Sequence, residues 1–409
     1  MVDASPHGAR ALQPPRLLHV DALRGFALLG ILLVNIAAFA SAYFGMAAPD
    51  PAFARPVDRA VRWLVAFLFE TKFYLLFSFL FGYSFTLQME AAERSGKAFG
   101  PRMLRRLLGL WLIGAAHAVW LFHGDILGTY AVLGLVLLWL RQQTDAQAAW
   151  RACVLTLMPA AVMAVLGGLR VHAGETIDVA GAAARASAAQ MAWLGTPATV
   201  VAQRLQELGQ TWWIVVLIQG PCALAMFMLG FMAGRRRLFA RLDRYRGLWR
   251  HLAGWGLAVG LPGALVYATA TVYRIGSGWE IVGLAVSLLS APFLSAAYVG
   301  LAMMLFEGAR GMRIARLLAP AGRMALTNYL VQSLVCALIF TAYGLGWMGR
   351  VSPAACVLIA AAIFAGQLAA SRLWLRRFSY GPVEWALRAL TVGAWPAMRR
   401  AAELPPPSS

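Results

Sequence analysis

The sequence predicts an all-α protein, a polytopic bundle of about ten transmembrane helices with both termini in the cytoplasm. Three observations carry this reading. Of 409 residues, 61% are hydrophobic and only 13% charged, with a mean hydropathy of +0.67. That is too little charge for a soluble chain of this length. Apolar runs of roughly 18 to 25 residues recur from end to end, each able to cross about 30 Å of hydrocarbon as a helix. The formal charge of +19 falls almost wholly on alternate loops, which is the pattern of the positive-inside rule.

The runs lie near 22–44, 61–88, 104–121, 125–141, 152–170, 211–233, 252–273, 282–306, 325–345 and 353–373. None alternates with period two, so strands of a barrel are not expected. Joining the runs in order puts the N-terminus, 89–106, 141–151, 235–250, 307–323 and the C-terminal tail on one side. These segments hold most of the 36 Lys and Arg residues, and "GRRRLFARLDRYRGLWRH" at 234–251 is the clearest anchor. The division is a cytoplasmic tail (1–20), a transmembrane domain (21–373) and a C-terminal amphipathic segment with its tail (374–409). Within the domain, 170–210 reads as external amphipathic helices broken at Gly195 and Pro197. The end, "LPPPSS", reads as disordered.

A pI near 10.9 would suggest nucleic acid in a soluble protein. In a membrane chain it marks topology and contact with anionic lipid, so membrane lipids are the expected partners and nucleic acid is not. "AFASA" at 38–42 resembles a signal cleavage site, but the run before it is long for a signal and further spans follow. Cys153, Cys222, Cys336 and Cys356 all fall in apolar runs without paired spacing, and read as small core residues.

Function is sought among the polar residues inside these runs, each costly if it faces lipid. In "FLFETKFYLLFSFLFGYSF", Glu70 and Lys72 are two apart and would point to different sides of one regular helix. In "GAAHAVWLFHGDILGTYA", His117 lies below an outer turn that holds His123 and Asp125. Helix counting puts Glu70 and His117 at similar depths, about 8 to 10 Å inside the outer boundary. Together these residues supply a base, an acid and a carboxylate to orient an imidazole. The alternative is that they only tie helices together. No metal-ligand spacing is present.

Near the cytoplasmic face, Asp21 and Arg24 share a helix face, with Asn35 further up the same helix. "GRMALTNYLVQS" adds Arg323, Asn328 and Gln332. These read either as an interhelical hydrogen-bond clamp or as the mouth for an anionic, phosphate-bearing cosubstrate that Arg would grip.

"DALRGFALLGILLVN", "FETKFYLLFSFLFG", "HGDILGTYAVLGL", "GRMALTNYLVQS" and "RRFSYGPVEWALRALT" resemble, in this order, blocks of the YeiB-like family of bacterial inner-membrane proteins, domain of unknown function 418. The resemblance covers nearly the whole chain and implies a multi-pass protein of the bacterial inner membrane. The opening block is also similar, more distantly, to the first helix of the membrane acyltransferase superfamily, which includes acyltransferase-3 enzymes and heparan glucosaminide acetyltransferase. That likeness implies transfer from cytosolic acyl-CoA to an acceptor across the membrane. Acyltransferase-3 proteins carry a catalytic His eleven residues after the Arg; here that position is Asn35. The glucosaminide branch uses a His in its first outer loop, and 45–62 contains none. Either His117 substitutes or the chemistry is lost.

Two readings therefore compete, with a third beside them. An acyltransferase-like enzyme would use Arg24, Asp21, Asn35, Arg323 and Asn328 on the donor side and His117, Glu70, Asp125 and His123 on the acceptor side. Acyl-CoA would be its cosubstrate, with an external acceptor and no covalently bound cofactor. A small-molecule transporter is favoured by Pro159, Pro221, Pro262 and Pro292, one in each of four successive spans. A non-catalytic scaffold is the third. The sequence leaves acceptor, acyl chain and oligomeric state open.

Overall fold

A computed structural model of the chain describes residues 17–174 and 178–400. The first sixteen residues of the N-terminal tail and the "LPPPSS" end lie outside the described residues. Among the described residues the regular structure is helical, joined by turns and loops, apart from an isolated antiparallel bridge between Phe378 and Arg399. The all-α, polytopic helix-bundle class is what the apolar runs require.

Among the described residues fifteen α-helices run in chain order. They are α1 (Leu18–Ala40), α2 (Pro56–Leu68), α3 (Lys72–Arg94), α4 (Phe99–Trp120), α5 (Leu127–Trp139), α6 (Asp145–Ala173), α7 (Val179–Leu194) and α8 (Pro197–Ile214). Then come α9 (Gly220–Arg235), α10 (Arg246–Tyr273), α11 (Gly278–Phe306), α12 (Ala309–Arg323), α13 (Ala325–Phe340), α14 (Pro353–Arg377) and α15 (Pro382–Val392). Seven stretches among them are long and apolar enough to cross a membrane, and eight if the bent α12–α13 pair counts as one span. The expected ten is thus not reached on length and composition. Arg102, Arg105 and Arg106 occupy the first turns of α4, and α5 is short.

The helices depart from the expected ones in three places. The run 61–88 is not one helix. It breaks at Phe69–Thr71, where Thr71 takes a left-handed φ of 65°. Side chains take up the released backbone: Lys72 Nζ donates to the Ala66 carbonyl (2.8 Å) and the Tyr298 hydroxyl to that of Leu68 (2.7 Å). Second, 307–323 is not a plain loop, because its arginines and apolar residues form α12, which meets α13 at 76°. Third, Pro159, Pro262 and Pro292 sit inside continuous helices, and Pro221 sits in the first turn of α9 after a π-helical turn at 215–219. The prolines therefore do not mark the broken helices.

Close crossings set the centre of the bundle. α12 lies on α1 through glycines: a Cβ on Gly25 would collide with the Leu318 carbonyl, and one on Gly322 with the Asp21 carbonyl. Only glycine lets backbones approach this far. This crossing brings Asp21 and Arg24 beside Arg323. Trp139, Trp150, Trp255 and Leu358 remain exposed on the outside of the bundle, as a lipid-facing surface requires.

The segment read as external helices does break at Gly195–Thr196, where Thr196 caps α8 in a reciprocal box with Thr199. α8 then runs on through the π-helical turn toward α9. At the other end, α15 packs across α4. A Cβ on Gly109 would lie 2.6 Å from Leu390 and 2.8 Å from Leu387. The chain then folds back, with the Ser379 amide on the Met398 carbonyl (2.8 Å).

Candidate functional site

The basic end of the bundle contains a cavity of about 500 Å³. Its walls carry seven arginines, Arg24, Arg94, Arg102, Arg106, Arg237, Arg323 and Arg388, against three carboxylates, Asp21, Glu90 and Glu384. α1, α3, α4, α12 and α15 each supply at least one of these groups. Arg24 is held by two partners: Nη1 donates to Asp21 Oδ1 (2.8 Å) and Nη2 to Ser84 Oγ (2.5 Å). Arg237 donates to Glu90 (3.0 Å). Arg102 is buried, and its Nε has no partner among the described residues. The excess of guanidinium groups over carboxylates gives this cavity a positive field.

A second cavity of about 240 Å³ continues from it. The two share Arg24, Gln88, Arg106, Arg323 and Glu384. Beyond these the lining turns apolar, with Ile31, Phe77, Leu80, Phe81, Leu110, Ile126 and Leu127, and then Tyr130 and Tyr329. Tyr130 is fixed by a hydrogen bond with Ser78 Oγ (2.7 Å) and one to the Tyr74 carbonyl (3.0 Å). A charged vestibule thus opens into a narrow greasy channel.

Glu384 lines both cavities. Its Oε1 accepts from the amides of Leu326 (2.7 Å) and Thr327 (3.0 Å), and its Oε2 from the Thr327 hydroxyl (2.6 Å). These are the first-turn donors of α13, left over by helix geometry. Burial raises the Glu384 carboxyl above the ordinary carboxylate range, and the hydrogen bonds from Thr327 and Leu326 oppose that rise.

At the far end of the channel stands an acid–imidazole pair. His117 Nδ1 lies 2.8 Å from Asp125 Oδ1, and Asp125 Oδ2 accepts from the Gly128 amide (2.7 Å). Gly114 permits this approach of α4 and α5, since a Cβ there would collide with the Gly128 nitrogen. The carboxylate fixes the ring, so the Nδ1–H tautomer leaves Nε2 as the basic lone pair. Nε2 is buried with no partner among the described residues. The Tyr329 ring, 4.9 Å from that of His117 between centroids, separates the imidazole from the channel.

The other expected residues divide differently. Glu70 does not join His117. It accepts from the Tyr267 hydroxyl (2.9 Å) at the α2–α3 break, while Lys72 turns to the Ala66 carbonyl and to the face of Tyr267. The break re-aims both side chains, so Asp125 is the carboxylate that orients the imidazole. His123 does not join it either. Its Nε2 lies 3.0 Å from Glu207 Oε2, and Gln203 donates to the other oxygen of that carboxylate (3.1 Å). Nearby, Arg204 is fully buried and donates to the Trp120 carbonyl (2.7 Å) and the Tyr343 hydroxyl (2.9 Å). This second cluster fastens α8 to the α4–α5 turn.

Asn328 and Gln332 turn away from both cavities. Asn328 Nδ2 donates to the Ala321 carbonyl and Ser371 Oγ (both 3.0 Å), and Gln332 Nε2 to Gln367 Oε1 (2.8 Å). They clamp α13 to α14. Asn35 is half-buried and lines neither cavity. Sequence reasoning missed Arg102, Arg106, Arg388, Glu384 and Ser84. The arginines counted only as topology signals, and Glu384 passed unremarked inside a family block.

No group of three or more His, Cys, Asp or Glu among the described residues is arranged to hold a metal ion.

Residues 233–394 match the family described as "Protein of unknown function (DUF418)". The chain is 34% identical to the uncharacterized protein YxaH of Bacillus subtilis (strain 168), over 94% of this chain and 97% of that one. It is 28% identical to the uncharacterized protein YeiB of Escherichia coli (strain K12), over 93% and 97%. An uncharacterized 39.9 kDa protein in the amylase 3′ region of Bacillus acidopullulyticus is 26% identical over 92% and 94%. With likeness of this extent running from end to end, the chain belongs to the DUF418 family of multi-pass, membrane-type helical proteins.

Proposed function

We propose that the protein is an acyltransferase-like membrane enzyme that takes its acyl group from acyl-CoA. The single observation that carries this is the continuity of the arginine vestibule with the apolar channel. An amphiphile with phosphates at one end and a hydrocarbon at the other matches that polarity. The vestibule would face the cytoplasm, because it lies at the basic end of the bundle. In a bacterial cell this is the inner membrane, with both termini on the donor side.

In this reading Arg24, Arg106 and Arg323 hold the phosphates, the pantetheine arm crosses into the channel, and Ile126, Leu127 and Tyr130 line the acyl carbons that follow the thioester. The thioester then lies toward Tyr329, whose ring must swing aside to admit it to His117. His117 Nε2 removes the proton from an acceptor hydroxyl or amine as that atom attacks the thioester carbonyl. The tetrahedral intermediate collapses with cleavage of the C–S bond. The leaving thiolate takes the proton from the imidazolium, which Asp125 has stabilised. Neither Glu70 nor His123 enters this step.

The rival reading, passage of a small anionic solute, draws on the 76° break between α12 and α13 beside the cavity. One experiment separates them: a cryo-EM map of the purified protein with octanoyl-CoA. The enzyme reading expects phosphate density among Arg24, Arg106 and Arg323, with a chain running on to Tyr329. Compact solute density in the vestibule with only detergent or lipid in the channel supports transport instead.

A further inference from the structure

Glu384 stands where a ligand's anion would be expected. Its carboxylate occupies the first turn of α13, a sixteen-residue helix, and takes two backbone amides and one hydroxyl there. Such an N-terminus favours an anion through its spare N–H groups and its dipole. Three guanidinium groups, Arg24, Arg106 and Arg323, line the same two cavities. Arg102, buried to about nine-tenths on the vestibule wall, donates from Nη1 to Ser95 Oγ (3.4 Å) and keeps an Nε without a partner among the described residues. The cradle is built for more negative charge than one carboxylate supplies.

We propose that the first turn of α13 is a phosphate subsite and that Glu384 is its internal occupant, which a ligand's phosphate displaces. A phosphate monoester or pyrophosphate brings more charge and more acceptor oxygens to the same donors. Burial already disfavours the Glu384 anion, which lowers the cost of removing it. Glu384 sits on α15, so displacement removes its three hydrogen bonds to α13 and leaves the Val383 amide on the Thr327 hydroxyl (3.1 Å) as a remaining hydrogen bond between the two helices. Leu387 and Leu390 then remain its contacts with Gly109 of α4. α15 is thereby a latch whose loosening reports that the vestibule is filled. This rests on reading the vestibule as a phosphate site and does not require an acyl chain.

The probe is inorganic pyrophosphate, titrated against the full-length protein in neutral-lipid nanodiscs. Glu384→Gln should tighten its binding about tenfold, the scale of removing a like charge a few ångström away. In the wild-type protein, pyrophosphate should speed amide hydrogen exchange over 382–392, a readout that needs no variant to fold. Unchanged or weaker binding in Glu384→Gln, or slower exchange over 382–392, overturns the proposal. If pyrophosphate behaves as expected while octanoyl-CoA binds no better than CoA, the subsite stands and the acyl-transfer reading falls. Adding phosphatidylglycerol to the discs identifies the source: competition with pyrophosphate assigns the subsite to a lipid headgroup, and its absence to a soluble phosphate.

Discussion

His117→Gln is expected to lower the rate of acyl transfer by about 10²- to 10⁴-fold, the usual range for removing a general base. Binding of octanoyl-CoA should stay within about twofold, because His117 lies beyond the channel lining and behind Tyr329. Single-turnover release of CoA thiol, set beside equilibrium binding, separates the two effects. Asp125→Asn should fall in the same direction, since an amide at 2.8 Å from Nδ1 no longer selects the tautomer that leaves Nε2 basic. Glu70→Gln should leave the rate near wild type, because Glu70 answers to Tyr267 at a different break in the bundle. A large loss in Glu70→Gln with a small one in His117→Gln would reverse the assignment.

That contrast also marks how far the sequence could be read. Hydropathy located the apolar helices because length and composition alone decide whether a helix suits lipid. The break at Phe69–Thr71 stayed hidden because the residues around it are as apolar as a continuous span. Its only signal was the "ETK" within them. Once the helix breaks, counting along a regular 3.6-residue period no longer gives the directions of Glu70 and Lys72. His117 and Asp125 are both legible as polar residues in an apolar setting, but their pairing depends on Gly114 admitting α5 to within contact of α4. The arginine vestibule was the least legible part. Arg106 and Arg388 are far apart in sequence and read singly as loop charge, and only the packing of α15 across α4 collects them.

The second large effect is expected at the vestibule. Arg106→Gln should weaken CoA binding about tenfold or more, as should Arg24→Lys, for different reasons. Arg106 stands where the two cavities meet, among Arg24, Arg102 and Arg388, with Glu384 the opposing charge. Removing it takes away a positive group that phosphate would use. Arg24 spends two of its nitrogens on Asp21 and Ser84, and lysine cannot keep that fork while still facing the cavity. Binding by both variants should also depend less steeply on salt than that of the wild type. Asn328→Ala should not change CoA affinity, because Asn328 serves the α13–α14 clamp. Equal losses at Arg106 and Asn328 would show that the effect is one of folding and not of the site.

The most direct test of the central claim, one amphiphile spanning vestibule and channel, is the difference in affinity between CoA and its thioesters of increasing chain length. With phosphates held among the arginines and hydrocarbon in the channel of about 240 Å³, each added methylene should tighten binding roughly fourfold until the channel is full, from about 0.8 kcal/mol per buried CH₂. Ile126→Trp, which fills the channel, should abolish that increment and leave CoA itself unaffected. Equal affinity for CoA and octanoyl-CoA in the wild-type protein would contradict the claim.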